Sequence, residues 1–512
     1  MQTAHRVAKN TGILYAKMGI TMFISLYTTR LILNALGAGD FGIFNIVGGA
    51  ISMLGFLNSA MAGATQRFMS YSEGSGDKEK QKKIFNISLV IHFCIAFIMC
   101  LVLIIAGYFF FNGLLNISDN RISAAKVVYV SLILSTIFTV IAVPYDAVLN
   151  ARENMLFYAI VGVIESLLKL VVALVIVNTT ADKLVLYGIL MACIPLVTIT
   201  IMHIYCYKHY AECVIAPYRY WDKKLMKEMT SYAGWNFSSS ATSMVGNYGL
   251  GILLNNFFGT ILNASFGIAS QLNGQLITFS NNMMKALNPS IVKAEGGGET
   301  QNMIRLALIG CKYSFFLFSV FAIPFLIETP IILKLWLKNV PDWAVVFCRL
   351  ALMRTMIEQL TQPLNTAIGA RGEIKSFLMI KSLIFLTPLP IIFVFFTLGF
   401  PAYTMLIVTL VIGGILDGIN SIIFAIKKCN LNFSDYLKIV LKNNLSIFFG
   451  TILISSMPLL FIDESISRLL IVLGLSISLY LLLFYKVGLS DIEKNGIKMI
   501  VVKIKLRFFI SK

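Results

Sequence analysis

The sequence predicts an all-α integral membrane protein with about 14 transmembrane helices. Of its 512 residues, 58% are hydrophobic and only 13% are charged, and the mean hydropathy is +0.82. A soluble domain carries about 25% charged residues, so these values exclude both a soluble fold and a disordered chain. Because each membrane helix takes about 20 residues, the chain has room for on the order of 14 helices with short connections.

Fourteen apolar segments follow one another along the chain. Each is long enough to cross a bilayer, and the connections are too short to hold a soluble catalytic domain. The segments run over residues 11–36, 43–65, 84–112, 122–150, 155–178, 184–207, 232–258, 261–289, 303–333, 343–368, 374–398, 402–426, 443–461 and 466–486.

The basic residues predict the orientation of these segments. Lys and Arg number 42 against 24 Asp and Glu, a formal net charge of +18, and most of the basic residues lie in loops on the side of the N-terminus. Basic loops stay in the cytoplasm, so both termini are predicted to be cytoplasmic. The basic stretches lack the interleaved aromatic residues of an RNA-binding surface, so nucleic acid is not expected as a partner.

The chain also repeats itself. Residues 31–77 align without a gap to residues 253–299, with eleven identical positions that include Gly37/Gly259 and Gly76/Gly298. A repeat of six segments keeps its orientation in the membrane, because six is even. We therefore expect two parallel six-helix repeats around a central cavity, followed by two extra C-terminal helices.

The predicted domains follow from this repeat. They are an N-terminal six-helix bundle at 1–207, a cytoplasmic basic linker at 208–231, a C-terminal six-helix bundle at 232–426, and helices 13 and 14 with a basic cytoplasmic tail at 427–512.

Motifs of catalysis are missing from the sequence. It contains no nucleotide-binding loop of the form G-x-x-x-x-G-K-[ST] and no H-E-x-x-H, and its four histidines are scattered. The eight cysteines form no C-x-x-C pair. We therefore predict no catalytic residue, no metal site and no cofactor, and a transporter rather than an enzyme.

The seventh and eighth segments are unusually rich in Asn, Gln, Ser and Thr. Close helix packing explains some of these residues, because small and polar side chains let helices approach. Their density fits a water-filled cavity better, and amides and hydroxyls suit a neutral, hydroxyl-rich cargo such as sugar. The uncharged residues predicted to bind cargo are Asn34, Asn247 and Gln271.

Charged residues inside membrane segments are costly and are functional candidates for that reason. Cations that face a cavity bind phosphate or pyrophosphate, and the candidates are Arg30, Lys17 and Arg354. Lys17 could instead extend its ammonium group to the interface.

Acidic residues in the segments could carry a coupling proton or sodium ion. The candidates are Glu165, Glu358 and Asp417. The alternative for the first two is an intrahelical ion pair, because Lys169 follows Glu165 by four residues and Arg354 precedes Glu358 by four.

One local motif resembles a known family. The stretch Arg30-Leu-Ile-Leu-Asn-Ala-Leu-Gly-Ala-Gly-Asp-Phe-Gly-Ile-Phe-Asn45, with Gln66-Arg67-Phe68 further on, is similar to Wzx-type O-antigen and capsule repeat-unit flippases. These are polysaccharide transporters of the multidrug/oligosaccharidyl-lipid/polysaccharide (MOP) exporter superfamily. The helix count, the repeat and the basic tail extend the resemblance over nearly the whole chain.

The resemblance implies a function and partners. The protein would flip undecaprenyl-pyrophosphate-linked oligosaccharide from the inner to the outer leaflet of the bacterial cytoplasmic (inner) membrane by alternating access, for O-antigen, capsule or exopolysaccharide synthesis. Family members place cations in the central cavity; Arg30 matches that role best and Lys17 less well. Ion-gradient coupling by H⁺ or Na⁺ is expected, and a polysaccharide polymerase and chain-length proteins would be partners.

Three other functions stay open at the level of sequence. A lipid II flippase would have the same fold and a different sugar. A cation-coupled multidrug exporter is disfavoured by the fourteen segments and by the few acidic residues in the N-terminal membrane region. A membrane-embedded glycosyltransferase or polymerase is disfavoured by the short outer loops.

Overall fold

The computed structural model describes residues 2–52, 55–114, 117–337, 339–491 and 493–495. Every regular element in these ranges is a helix, and the fold class predicted from the sequence is confirmed. Most of the predicted basic tail lies outside the described residues.

The α-helices are numbered in chain order. They are α1 (Gln2–Ser52), α2 (Gly55–Ser75), α3 (Lys78–Phe109), α4 (Ile122–Ala151), α5 (Met155–Asn178), α6 (Lys183–His209), α7 (Lys223–Gly296), α8 (Thr300–Leu337), α9 (Ala344–Gln359), α10 (Gln362–Arg371), α11 (Lys375–Leu386), α12 (Pro388–Thr397), α13 (Thr404–Thr409), α14 (Asp417–Cys429), α15 (Phe433–Tyr436), α16 (Asn443–Ser455), α17 (Pro458–Phe461) and α18 (Ile466–Leu483).

Within the described ranges, eleven helices are long and apolar enough to cross a membrane. The difference from fourteen has a structural origin. The seventh and eighth predicted segments are two helical stretches joined directly at Gly259, and they are numbered together as the 74-residue α7. The tenth is divided into α9 and α10, of 16 and 10 residues. The second lies across the end of α1 and the start of α2.

The chain divides into two compact units. The N-terminal unit comprises Val7–Ala241 and Val292–Glu299, and the C-terminal unit comprises Met1–Arg6, Thr242–Ile291 and Thr300–Lys512. In the first, α4 packs against α2, α3 and α6; in the second, α8 packs against α9, α10, α16 and α18.

The connection between α6 and α7 is held against α3. The side-chain amide of Asn86 donates to the carbonyl oxygen of Val214 at 2.9 Å, and its oxygen accepts from the N–H of Ala216 at 2.8 Å. Lys83 Nζ lies 3.1 Å from Oδ2 of Asp222, the residue that caps α7. The predicted basic linker is therefore ordered by contacts within its own unit.

Equivalent positions of the sequence repeat share an unusual backbone conformation. Gly37 bends α1 with φ 75° and ψ 168°, and Gly259 bends α7 with φ 80° and ψ −175°. Gly76 and Gly298, with φ of 71° and 77°, end the two equivalent stretches. L-residues with a side chain rarely adopt positive φ, so glycine is required at these bends. A single glycine replaces the short loop expected between the first two segments.

The ends of α2 and α7 cross closely within the N-terminal unit. A methyl group on Gly296 would lie 2.9 Å from the carbonyl carbon of Tyr71, and one on Gly74 would lie 2.8 Å from that of Lys293. Tyr71 and Gly74 align with Lys293 and Gly296 at the repeat offset of 222, so the contact is reciprocal. Lys293 Nζ also lies 3.2 Å from Glu153 Oε1.

The last helices are tied to α8 by ion pairs in the C-terminal unit. The carboxylate of Glu328, which is fully buried, accepts from Nε and Nη2 of Arg468 at 2.9 and 3.0 Å. Lys312 Nζ lies 2.6 Å from Glu493 Oε2, and Lys334 Nζ lies 2.7 Å from Glu464 Oε2.

Candidate functional site

In the N-terminal unit, Arg30 is an exposed cation on α1. It forms no hydrogen bond or ion pair with any residue in the described part of the chain, and Asn34, one turn further on, is exposed as well. A bare guanidinium against lipid is costly, so a charge kept at this position needs water or an anion as its counterpart. Arg30 is therefore available to bind an anionic group.

Lys17 and Glu165 already have partners in the same unit. Lys17 Nζ lies 4.2 Å from the centre of the Tyr158 ring, a cation–π contact. Glu165 Oε1 lies 2.7 Å from Lys169 Nζ, the intrahelical ion pair that the spacing predicts.

A large cavity lies in the C-terminal unit, beside the bend of α7 at Gly259. Its volume is about 720 Å³. The lining combines amides and hydroxyls with aromatic and small residues and carries no charged side chain: Asn247, Tyr248, Gly251, Ile252, Asn255, Thr260, Asn263, Phe266, Gly267 and Ser270. The predicted cargo residue Asn247 is among them, and Gln271 is exposed next to Ser270.

A second, smaller cavity adjoins the first at Asn247. It has a volume of about 20 Å³, and its wall includes Asn247, Ser243, Phe385 and the cation Arg354. The structure thus brings two of the predicted cargo residues, Asn247 and Arg354, to one place. Arg354 donates from Nε to Glu358 Oε1 at 2.8 Å, the second ion pair that four-residue spacing predicts.

A π-helical stretch at Leu410–Leu416 shapes the other side of Arg354. A methyl group on Gly413 would lie 3.2 Å from Nη2 of Arg354, so the glycine leaves room for the guanidinium. Asp417 follows one turn later and lies 3.1 Å from Lys381 Nζ through its Oδ2. π-Helical turns within α-helices are frequent at functional sites.

Lys381 is the residue of this site that the sequence reasoning did not identify. It lies in the eleventh predicted segment, and its Nζ lies 5.6 Å from the centre of the ring of Phe385, which lines the small cavity. The rule that flags charged residues inside membrane segments would have found Lys381. No signal in the sequence could have paired it with Asp417, 36 residues away.

Arg349 is also a cation in a predicted membrane segment, but its contacts are structural. Pro330 has no N–H, so the carbonyl oxygen of Leu326 loses its helical partner. Arg349 donates to that oxygen from Nε at 2.9 Å and to the carbonyl oxygen of Ile327 from Nη2 at 3.1 Å. It therefore completes the hydrogen bonding of the kinked α8.

Comparison with known proteins agrees with this architecture. Residues 16–175 match the MatE family. The chain is similar to a MATE in the bent conformation, at 13% identity over 84% of this chain and 96% of that one, with a TM-score of 0.73. It has the fold of the MATE transporters. No protein of curated function matches its sequence.

Two further structures have the same fold. One is an outward-facing multidrug resistance MATE family transporter of the MOP superfamily, at 13% identity over 83% of this chain and 94% of that one, with a TM-score of 0.66. The other is a MOP superfamily transporter from Pyrococcus furiosus, at 14% identity over 84% and 97%, with a TM-score of 0.64. The predicted multi-pass membrane transporter, rather than an enzyme, is confirmed by the MatE match and this fold.

Proposed function

We propose that the protein flips undecaprenyl-pyrophosphate-linked oligosaccharide from the inner to the outer leaflet of a bacterial cytoplasmic membrane. The six-helix repeats at 1–207 and 232–426 would alternate between inward-open and outward-open states, with both termini in the cytoplasm. The product would feed O-antigen, capsule or exopolysaccharide synthesis, with a polymerase and chain-length proteins as partners.

The balance of available charge carries this proposal. Each of the acidic candidates forms an ion pair with a cation of the chain: Glu165, Glu358 and Asp417. Arg30, in contrast, forms no ion pair with a carboxylate in the described residues. An anionic cargo finds a cation ready to bind it. A cationic drug would first have to displace a lysine or arginine from its carboxylate, so the multidrug exporter is the weaker alternative.

The uncharged cavity supports a sugar cargo. Its amides and hydroxyls supply both donors and acceptors, the pattern that a neutral polyhydroxyl compound requires.

Coupling to H⁺ or Na⁺ at Glu165, Glu358 or Asp417 is part of the proposal, and an ion would have to compete there with the cation already present. Lipid II, the precursor of peptidoglycan, has the same chemical features as the proposed cargo. If the protein were essential for growth, lipid II would be the cargo.

A deletion strain tests the proposal directly. Undecaprenol-linked intermediates are extracted and surface polysaccharide is stained. We expect a complete lipid-linked repeat unit to accumulate while surface polymer disappears. If the deletion strain keeps its surface polymer and becomes sensitive to cationic dyes, the protein is a drug exporter.

Complementation with Arg30 variants then tests the site. Arg30→Ala should fail to restore the polysaccharide at a normal protein level, because the bare cation is lost. Arg30→Lys keeps the charge and should restore most of it. Full restoration by Arg30→Ala would remove Arg30 from the cargo path.

A further inference from the structure

The C-terminal unit holds two cation–carboxylate pairs near the small cavity, which Arg354 lines directly and Lys381 approaches through Phe385. Arg354 and Glu358 lie on α9, and Lys381 on α11 reaches Asp417 at the start of α14. Gly413, which faces Arg354, precedes Asp417 by one helical turn, so both pairs contact the same helical stretch, Leu410–Cys429. All four side chains are at most 29% exposed.

The site is neutral as it stands and closed to any large anion. The cavity next to Arg354 has about 20 Å³, the space of a single water molecule. One carboxylate oxygen, Oδ1 of Asp417, and the side-chain nitrogen of Asn420 are buried without a hydrogen-bond partner in the described residues. Buried polar atoms of this kind are costly unless another arrangement of the site pairs them.

The neighbouring cavity shows where a cargo would extend. Asn247 lines both the small cationic cavity and the large uncharged one. A molecule with a neutral sugar part and an anionic end would place its sugar in the large cavity and its anion at Arg354, where the small cavity opens only when Glu358 moves away. Arg354 lines the small cavity, and Lys381 lies behind Phe385 in its wall.

We propose that Glu358 and Asp417 are exchangeable charge partners that hold Arg354 and Lys381 for the pyrophosphate group of the cargo. The pyrophosphate displaces the two carboxylates when it binds, and they return to the cations when it leaves. This inference rests on the proposed function and gives the two acids a role other than ion coupling.

The exchange has a physical purpose. Two bare cations in a membrane-embedded site would be costly whenever the transporter is empty, and the carboxylates remove that cost. The same carboxylates compete with the pyrophosphate, so a multiply charged cargo is not trapped in a site of low dielectric.

Loss of a carboxylate should strengthen binding, contrary to the usual effect of removing a charged residue from a site. Neutralising an acid frees a cation, so Asp417→Asn and Glu358→Gln should each bind a polyprenyl pyrophosphate more tightly, by roughly tenfold within the usual range of coupling between sites. Lys381→Gln should bind it more weakly. In the double variant Asp417→Asn/Lys381→Gln the gain should vanish, because Lys381, the cation that Asp417→Asn would free, is gone.

The experiment uses the purified full-length chain in nanodiscs with farnesyl pyrophosphate as the probe, titrated at constant pH. Glu464→Gln is the matched control: it removes the acid of an ion pair of 2.7 Å with Lys334 of α8, away from the cavity, and should leave the affinity unchanged. Melting temperatures identify variants that fail to fold. Glu358→Gln is the safer of the two acid variants, because its pair is more exposed than that of Asp417.

Three outcomes would overturn the exchange. They are unchanged or weaker binding in both acid variants, a gain that survives in the double variant, and the absence of any binding by the wild-type chain. Each is measured on purified protein. If the deletion strain has nevertheless lost its surface polysaccharide, the proposed function stands and only the exchange fails.

Discussion

The close crossing of α2 and α7 can be tested by adding one methyl group. In Gly296→Ala the new carbon would lie 2.9 Å from the carbonyl carbon of Tyr71 and closer still to its oxygen. Real Cβ atoms do not come within 3.0 Å of such atoms, so the two backbones must separate by about 1 Å. Overpacking of this kind costs about 1–3 kcal/mol.

The opposing effect is small. Alanine is a better helix former than glycine by up to about 1 kcal/mol in a helix interior, and by less at position 296, the last residue of α7. We therefore expect Gly296→Ala to be destabilised, with a melting temperature several degrees lower for the purified protein. Gly274→Ala on the same helix is the matched control, because its methyl group would meet no atom within 4 Å.

The reciprocal contact allows a second test. Gly74→Ala should destabilise by a similar amount, and the double variant by less than the sum, because helices that have already separated leave room for the second methyl group. Gly274→Ala, in the helix interior and without a clash, should melt at or above the wild-type temperature. If Gly296→Ala does the same, the close approach does not stabilise this end of the unit and the reasoning is refuted.

Two further predictions concern stability. Glu328→Gln should lower the free energy of unfolding by about 3–5 kcal/mol, because Arg468 is left buried without its charged partner. The double variant Glu328→Gln/Arg468→Met should recover most of the loss. Equal melting temperatures of the wild type and Glu328→Gln would contradict this. Asp222→Ala should cost about 1 kcal/mol, because the side chain accepts from the backbone N–H groups at the start of α7. The N–H of Leu225, together with Lys83, holds the pKa of Asp222 below its ordinary value of 3.8. The stabilisation by Asp222 is therefore complete at neutral pH and is lost only as the pH falls through the lowered pKa. A difference in melting temperature between wild type and Asp222→Ala that shrinks between pH 7 and pH 5 would contradict this assignment.

Much of the fold could be predicted because a bilayer acts on each segment separately. The predicted segment 155–178 coincides with α5, since length and apolarity alone decide where a helix can cross. The ion pairs of Glu165 and Glu358 followed from four-residue spacing on one helix. The repeat aligned Gly37 with Gly259, and both glycines bend their helices.

The limits of segment-by-segment reasoning appear where a helix is interrupted without a change in apolarity. The sequence predicts a short loop between the first two segments, and the backbone instead remains helical and turns at Gly37 alone. The tenth segment reads as one helix, yet it is divided at the junction of α9 and α10, where Pro363 follows directly.

The sequence by itself determined the class of molecule, its helices and its internal repeat, because these depend on composition, period and local spacing. Only the tertiary structure decided which polar groups meet. Lys381 and Asp417 are 36 residues apart, and Asn247 of α7 shares the small cavity with Arg354 of α9 and Phe385 of α11. Such contacts depend on helix packing, in which each side chain faces one of several neighbours, and no local pattern selects among them.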